Sequence, residues 1–83
     1  WLELLVMQRA GLISNLQRQV RLKCVVNGQQ ITAYVCDFLY VENGKRVVED
    51  VKSSFTVKSP YFQLKRKLVA AVLGVEIRIT GLK

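Results

Sequence analysis

Histidine is missing altogether from the 83 residues of this chain. That absence removes Ser-His-Asp and Cys-His nucleophile schemes. With only Cys24 and Cys36, and no CxxC pair, a zinc site also lacks ligands. Any catalysis must therefore run on carboxylates, lysine or tyrosine. Both cysteines fall in β-patterned stretches, where buried, reduced thiols are expected of a cytoplasmic protein; one strand-to-strand disulfide is the alternative. Acids are scarce as well. Six Asp and Glu stand against 13 Lys and Arg, for a net charge of +7. That balance favours a polyanionic partner (DNA, RNA or an acidic membrane surface), although plain solubility produces the same excess. Long apolar runs are absent, since Val69 to Val75 and Leu4 to Met7 are far too short to span a bilayer. No signal-peptide pattern appears.

What is present reads as one small globular domain over residues 1–83, with 51% apolar and 23% charged residues. The chain does not begin with Met, so truncation at the N-terminus is expected. Trp1 to Ala10 combines apolar residues with good helix formers, and Gly11 is a typical helix stop. Leu16 to Val26 reads as a strand, and Asn27-Gly28 is a two-residue hairpin signal. Gln30 to Val41 is a second strand, Asn43-Gly44 a second hairpin, and Arg46 to Ser53 a third strand. Two such turns predict an antiparallel meander. Ser53 to Ser59 is loop-like. Ser59-Pro60 then fits an N-cap followed by Pro at the first helical position. Tyr61, Leu64, Leu68, Ala71 and Val72 recur at helical spacing, Gly74 ends that helix, and Val75 to Thr80 alternates as a fourth strand. The predicted order is α-β-β-β-α-β.

The second hairpin serves as a ruler. With Asn43-Gly44 as the turn, Glu42 pairs with Lys45, and counting back sets Asp37 opposite Asp50. Directly opposed residues share a sheet face, so two carboxylates meet there and repel unless a cation lies between them. Oxygen ligands alone suit Mg²⁺ or Mn²⁺. Lys52, two residues past Asp50, returns to the same face, whereas Glu49 points to the other one. A cation held by Asp37 and Asp50 can polarise a phosphodiester and acidify water, and Lys52 can position that water and stabilise charge on phosphorus. Val35, Leu39 and Val48 are expected as apolar neighbours on that face, where a charged pair is costly without a task. A solvated surface hairpin is the competing reading of a D…DxK string.

Several other residues are weighed in the same way. Lys65, Arg66 and Lys67 form a basic run on the second helix, either a phosphate-contacting surface or a solvated face. Arg18 falls opposite Asp37 if the first hairpin is an unbroken two-residue turn, and then pairs with that carboxylate when no metal is bound. Tyr34, Phe38 and Tyr40 alternate along one strand, facing away from Asp37, and are expected in the core. Phe62 is expected to pack as well. Trp1 reads either as core of the first helix or as a frayed end.

The stretches "LELLVMQRAGLISNLQRQVRLK", "YVCDFLYVENGKRVVEDVKS" and "SPYFQLKRKLVAAVLGVEIRI" together resemble a family of small phage and prophage proteins long labelled as a domain of unknown function. That family is placed in the PD-(D/E)xK nuclease superfamily, and the similarity covers nearly the whole chain. It implies a restriction-endonuclease-like αβββαβ core of the α/β (α+β) class, a mixed four-stranded sheet with helices on both faces. It carries the metal-binding acid onto Asp37, the (D/E)xK acid onto Asp50 and its lysine onto Lys52, with the Val51 backbone carbonyl as a further metal ligand. Gln19, in the matching "LQRQV" segment, reads as orienting the active site or the DNA, or else as a polar strand-edge residue. Lys65 and Lys67 stand in "LKRKL", which fits the family, and with Gln19 and Arg18 they are the residues expected to bind nucleic acid. The family's additional Glu on the first helix would precede Trp1, and Glu3 matches a different place in the pattern. The implied activity is a Mg²⁺- or Mn²⁺-dependent endodeoxyribonuclease, phage-encoded, acting on DNA in the bacterial cytoplasm, without membrane contact and with a homodimer open. A non-catalytic nucleic-acid binding module and a phage structural subunit are the alternatives.

Overall fold

The computed structural model describes residues 1–52 and 57–81. Its elements are α1 (Leu2–Arg9), β1 (Ser14–Val26), β2 (Gln29–Glu42), β3 (Lys45–Val51), α2 (Pro60–Leu73) and β4 (Glu76–Thr80). The order matches the α-β-β-β-α-β pattern. Most of the expected 53–59 loop lies outside the described residues. None of the described helices is long and apolar enough to cross a membrane.

Turn chemistry sets the connections. Asn27 and Gly28 have φ of 51° and 78°, and Asn43 and Gly44 have 53° and 76°. Both central residues are left-handed in each turn, as a type I′ hairpin requires, and this matches the twist of the flanking strands. β1, β2 and β3 are therefore antiparallel in sequence order. Ser59 caps α2 in an extended conformation, Pro60 opens the helix, and Gly74 closes it at φ 63°. The crossover through α2 lays β4 parallel to β3. The described residues thus form an α+β fold in which α1 and α2 accompany a mixed four-stranded sheet in the order β1-β2-β3-β4.

β3 lies inside the sheet, and its successive side chains enter two separate layers. Val48 packs with Cys24, Tyr34, Cys36, Phe62, Val69 and Val75 in the layer under α2. Val47 packs with Leu4, Ile13 and Tyr40 in the layer under α1. The helices accordingly cover opposite faces. Both cysteines are free and fully buried in the α2 layer. Burial pushes the Cys36 thiol up from its ordinary value, which keeps it protonated and unreactive.

Two irregularities correct the simple register. Val25 pairs with Gln30 but Cys24 pairs with Thr32, so Ile31 is an extra residue in β2. The pairs from Cys24 to Gln17 move by one, and Arg18 faces Phe38 instead of Asp37. Further along β1, Gln19 has a left-handed φ of 52° between the Arg18–Phe38 and Val20–Cys36 pairs. At that level β2 changes faces. Tyr34 and Cys36 belong to the α2 layer, whereas Phe38 and Tyr40 belong to the α1 layer. The three aromatics do pack in the core, but not on one shared face. Val35, expected beside the Asp37 pair, is 53% exposed, while Leu39 and Val48 do pack in the α2 layer.

Val48→Ala removes two methyl groups from a fully buried position of the central layer. It is expected to lower unfolding free energy by roughly 2 kcal/mol. Val35→Ala, at an exposed position, should stay within about 0.5 kcal/mol of the unmodified protein. Chemical denaturation midpoints compare the two.

Candidate active site

The backbone ladder between β2 and β3 runs from Glu42–Lys45 to Phe38–Glu49 and stops there. β3 continues beyond Glu49 only against β4, through the Asp50–Ile79 and Val51–Thr80 pairs. The strands part at Asp37 and Asp50, which leaves amide N–H groups without carbonyl partners across the gap. Such groups need acceptors, and the two aspartates supply them. The Asp37 amide donates to Asp50 Oδ1 at 2.8 Å, and the Val51 amide donates to Asp37 Oδ2 at 2.9 Å. Each carboxylate thus binds the backbone of the opposite strand. The hairpin count, which set these residues opposite one another, holds in this crossed form.

Asp50 has no exposed surface, and Asp37 is half-buried. A buried carboxylate needs hydrogen-bond donors. Besides the Asp37 amide, Asp50 receives the hydroxyl of Tyr34 on Oδ2. The face change in β2 is what brings Tyr34 to this side. Burial, and then the bond to Asp50, hold the Tyr34 hydroxyl well above the usual tyrosine range, so it remains a donor. Sequence reasoning set Tyr34 facing away from the acids. No local signal in the sequence marks the change of face between Cys36 and Phe38 that overturns this reading.

Glu42, Glu49 and Glu76 are otherwise engaged. Glu49 lies on the α1 face, as expected, and accepts from the Tyr40 hydroxyl at 2.8 Å. Burial and that bond push the Tyr40 hydroxyl up to about 12. Arg78 donates to Glu42 at 2.6 Å and also to Glu76, and Lys45 stands 3.7 Å from Glu76. The Arg78 hydrogen bond holds the Glu76 carboxyl below its ordinary value. Glu3 is exposed on α1. Asp37 and Asp50 are therefore the acids gathered at the strand opening.

Lys52 follows directly, half-buried, with its amide donating to the Thr80 carbonyl at 3.0 Å. Lys65 of α2 approaches the same region, its ammonium 5.9 Å from the centre of the Tyr34 ring and 5.7 Å from that of Tyr61. Lys67 is exposed two residues further along the helix, on a different side from Lys65. Gln19 is exposed at the level of Asp37 on β1. Arg18 is not brought to the carboxylates. Its guanidinium lies 4.6 Å from the centre of the Trp1 ring, which stacks on Phe38 at 5.6 Å. The expected Arg18–Asp37 pair does not form: the Ile31 bulge sets Arg18 opposite Phe38, and the change of face at the level of Gln19 turns it to the α1 side.

The donor set at the opening is two carboxyl groups, oxygen alone, which suits a hard divalent cation. Each carboxylate oxygen that accepts one hydrogen bond retains a second lone pair. Asp37 and Asp50 therefore fit as two ligands of such an ion. Among the described residues no group of three or more His, Cys, Asp or Glu gathers around a common point; Mg²⁺ commonly completes its shell with water. Comparison with family models, curated proteins and solved structures found no match.

The two tyrosine shifts bear on stability at high pH. Both folded-state values are raised, so the stability they confer is complete below the unfolded value of 10.0 and declines as pH rises toward about 12. The thermal midpoint should show no loss from these groups up to about pH 9 and fall above 10. Absorbance at the phenolate band should show Tyr34 and Tyr40 ionising together with unfolding.

Proposed function

We propose that this chain is a metal-dependent endodeoxyribonuclease domain with a restriction-endonuclease-like core, acting through Asp37, Asp50 and Lys52. One observation carries the reading: carboxylates from adjacent strands meet, tied to each other's backbone, at the point where those strands separate. The α-β-β-β-α-β order, with β4 parallel to β3, supports it as the core that the sequence resemblance implies. Phage origin and action in the host cytoplasm belong to the same proposal and rest on that resemblance.

Asp37 and Asp50, with the Val51 carbonyl, would hold Mg²⁺ or Mn²⁺. When bound, the ion supplies Lewis acidity toward a phosphodiester oxygen and lowers the pKa of water. The protein's own groups do the rest. The crossed amide bonds keep both carboxylates oriented toward the opening before any substrate arrives. Lys52 supplies a cation beside Asp50 that can steer the attacking water and stabilise charge building on phosphorus. Lys65 and Gln19 would contact the DNA backbone near the strand opening, whereas Arg18 and Lys67 lie on other sides of the protein; the +7 charge draws the polyanion to the protein in a salt-sensitive way. A single site of this kind cuts one strand, so a homodimer would suit a double-strand cutter.

Incubating the protein with linear and branched DNA, with Mg²⁺ or with chelator, tests the proposal. Cleavage should require the cation. Asp50→Asn should reduce it to background while DNA binding is retained, and Lys52→Ala should slow it on the order of 10²–10³-fold. Salt-sensitive binding with intact DNA would replace this reading with that of a non-catalytic binding module. No binding at all would point to an assembly subunit.

A further inference from the structure

We infer that Tyr34 is the positioning residue of this site: its hydroxyl fixes the Asp50 carboxylate in the orientation that holds a divalent cation. The inference rests on the proposed role of Asp37 and Asp50 and adds a residue that the D…DxK pattern does not contain.

A carboxylate can turn about its Cβ–Cγ bond, and a ligand that turns loses geometry. Asp50 is held at both oxygens, by the Asp37 amide on Oδ1 and by Tyr34 on Oδ2. Tyr34 is itself immobilised. It is 4% exposed, packed in the α2 layer among Cys36, Val48 and Phe62, with the Lys65 ammonium above its ring. The chemistry of the donor matters. A lysine or arginine in its place would neutralise Asp50 and compete with a cation. A phenol hydroxyl is neutral, so it orients the carboxylate and leaves its charge available. Metal-binding side chains are commonly oriented by such outer partners. A matched comparison exists on the other face, where Tyr40 donates to Glu49 at 2.8 Å away from the aspartates. It has the same bond type and similar burial, but no proposed ion.

Calorimetric titration of the whole chain with Mn²⁺ tests this. Tyr34→Phe should weaken Mn²⁺ binding roughly 10–100-fold, whereas Tyr40→Phe, which loses an equivalent hydroxyl, should bind as the unmodified protein does. A purely structural role for Tyr34 would move the two variants together. A second measurement needs no variant. With ¹³Cζ-labelled tyrosine, the Tyr34 resonance should shift as Mg²⁺ is added and the Tyr40 resonance should not. Unchanged Mn²⁺ affinity in Tyr34→Phe, or a static Tyr34 resonance while the ion binds, would overturn the inference and leave the nuclease proposal standing. If the unmodified chain binds no Mn²⁺, the proposal and the inference fall together.

Discussion

The crossed hydrogen bonds at the end of the β2–β3 ladder organise this protein. A sheet that opens between two strands exposes amides that must find acceptors. Here side-chain carboxylates take the place of main-chain carbonyls, Asp50 for the Asp37 amide and Asp37 for the Val51 amide. Bonds of this kind to an ionised acceptor are stronger than neutral ones. They bring two carboxyl groups together in a partly buried place. A third donor, the Tyr34 hydroxyl, completes the coordination of the fully buried Asp50. Structural and proposed chemical roles thus fall on the same atoms: the groups that seal the strand opening are the groups that would hold a cation in the proposed function.

The face change at that level is the second constraint. Gln19 occupies a left-handed conformation that costs a non-glycine residue about 1–2 kcal/mol. In exchange, the pattern of β2 shifts so that Tyr34 and Cys36 pack under α2 while Phe38 and Tyr40 pack under α1. Without that shift Tyr34 and Tyr40 would share a face, and one of the two buried carboxylate–hydroxyl bonds could not form. The strain at Gln19 therefore lies beside the feature it permits, a common arrangement in functional regions.

Charge is also sorted by face. Glu42, Glu49 and Glu76 are bound on the α1 side by Arg78, Tyr40 and Lys45. The two aspartates belong to the strand opening, with Lys52 and Lys65 nearby. Of the 6 acids, Asp37 and Asp50 are the two that meet one another. The rest of the surface carries the excess of positive charge that would attract a polyanion.

Much of this was legible in the residues alone, because the relevant rules are local. Asn27-Gly28 and Asn43-Gly44 announced their turns through backbone preference, Ser59-Pro60 and Gly74 bounded α2, and the second turn brought Asp37 level with Asp50. Three features were not legible: the extra residue at Ile31, the left-handed Gln19 and the Tyr34–Asp50 bond. No short-range preference specifies them. A bulge forms where packing of two layers on opposite faces outweighs regular pairing, and that balance exists only once α1 and α2 are both in place. The pairing of the acids followed from counting along a hairpin; the hydroxyl that holds one of them still was set by how the assembled sheet bends between its helices.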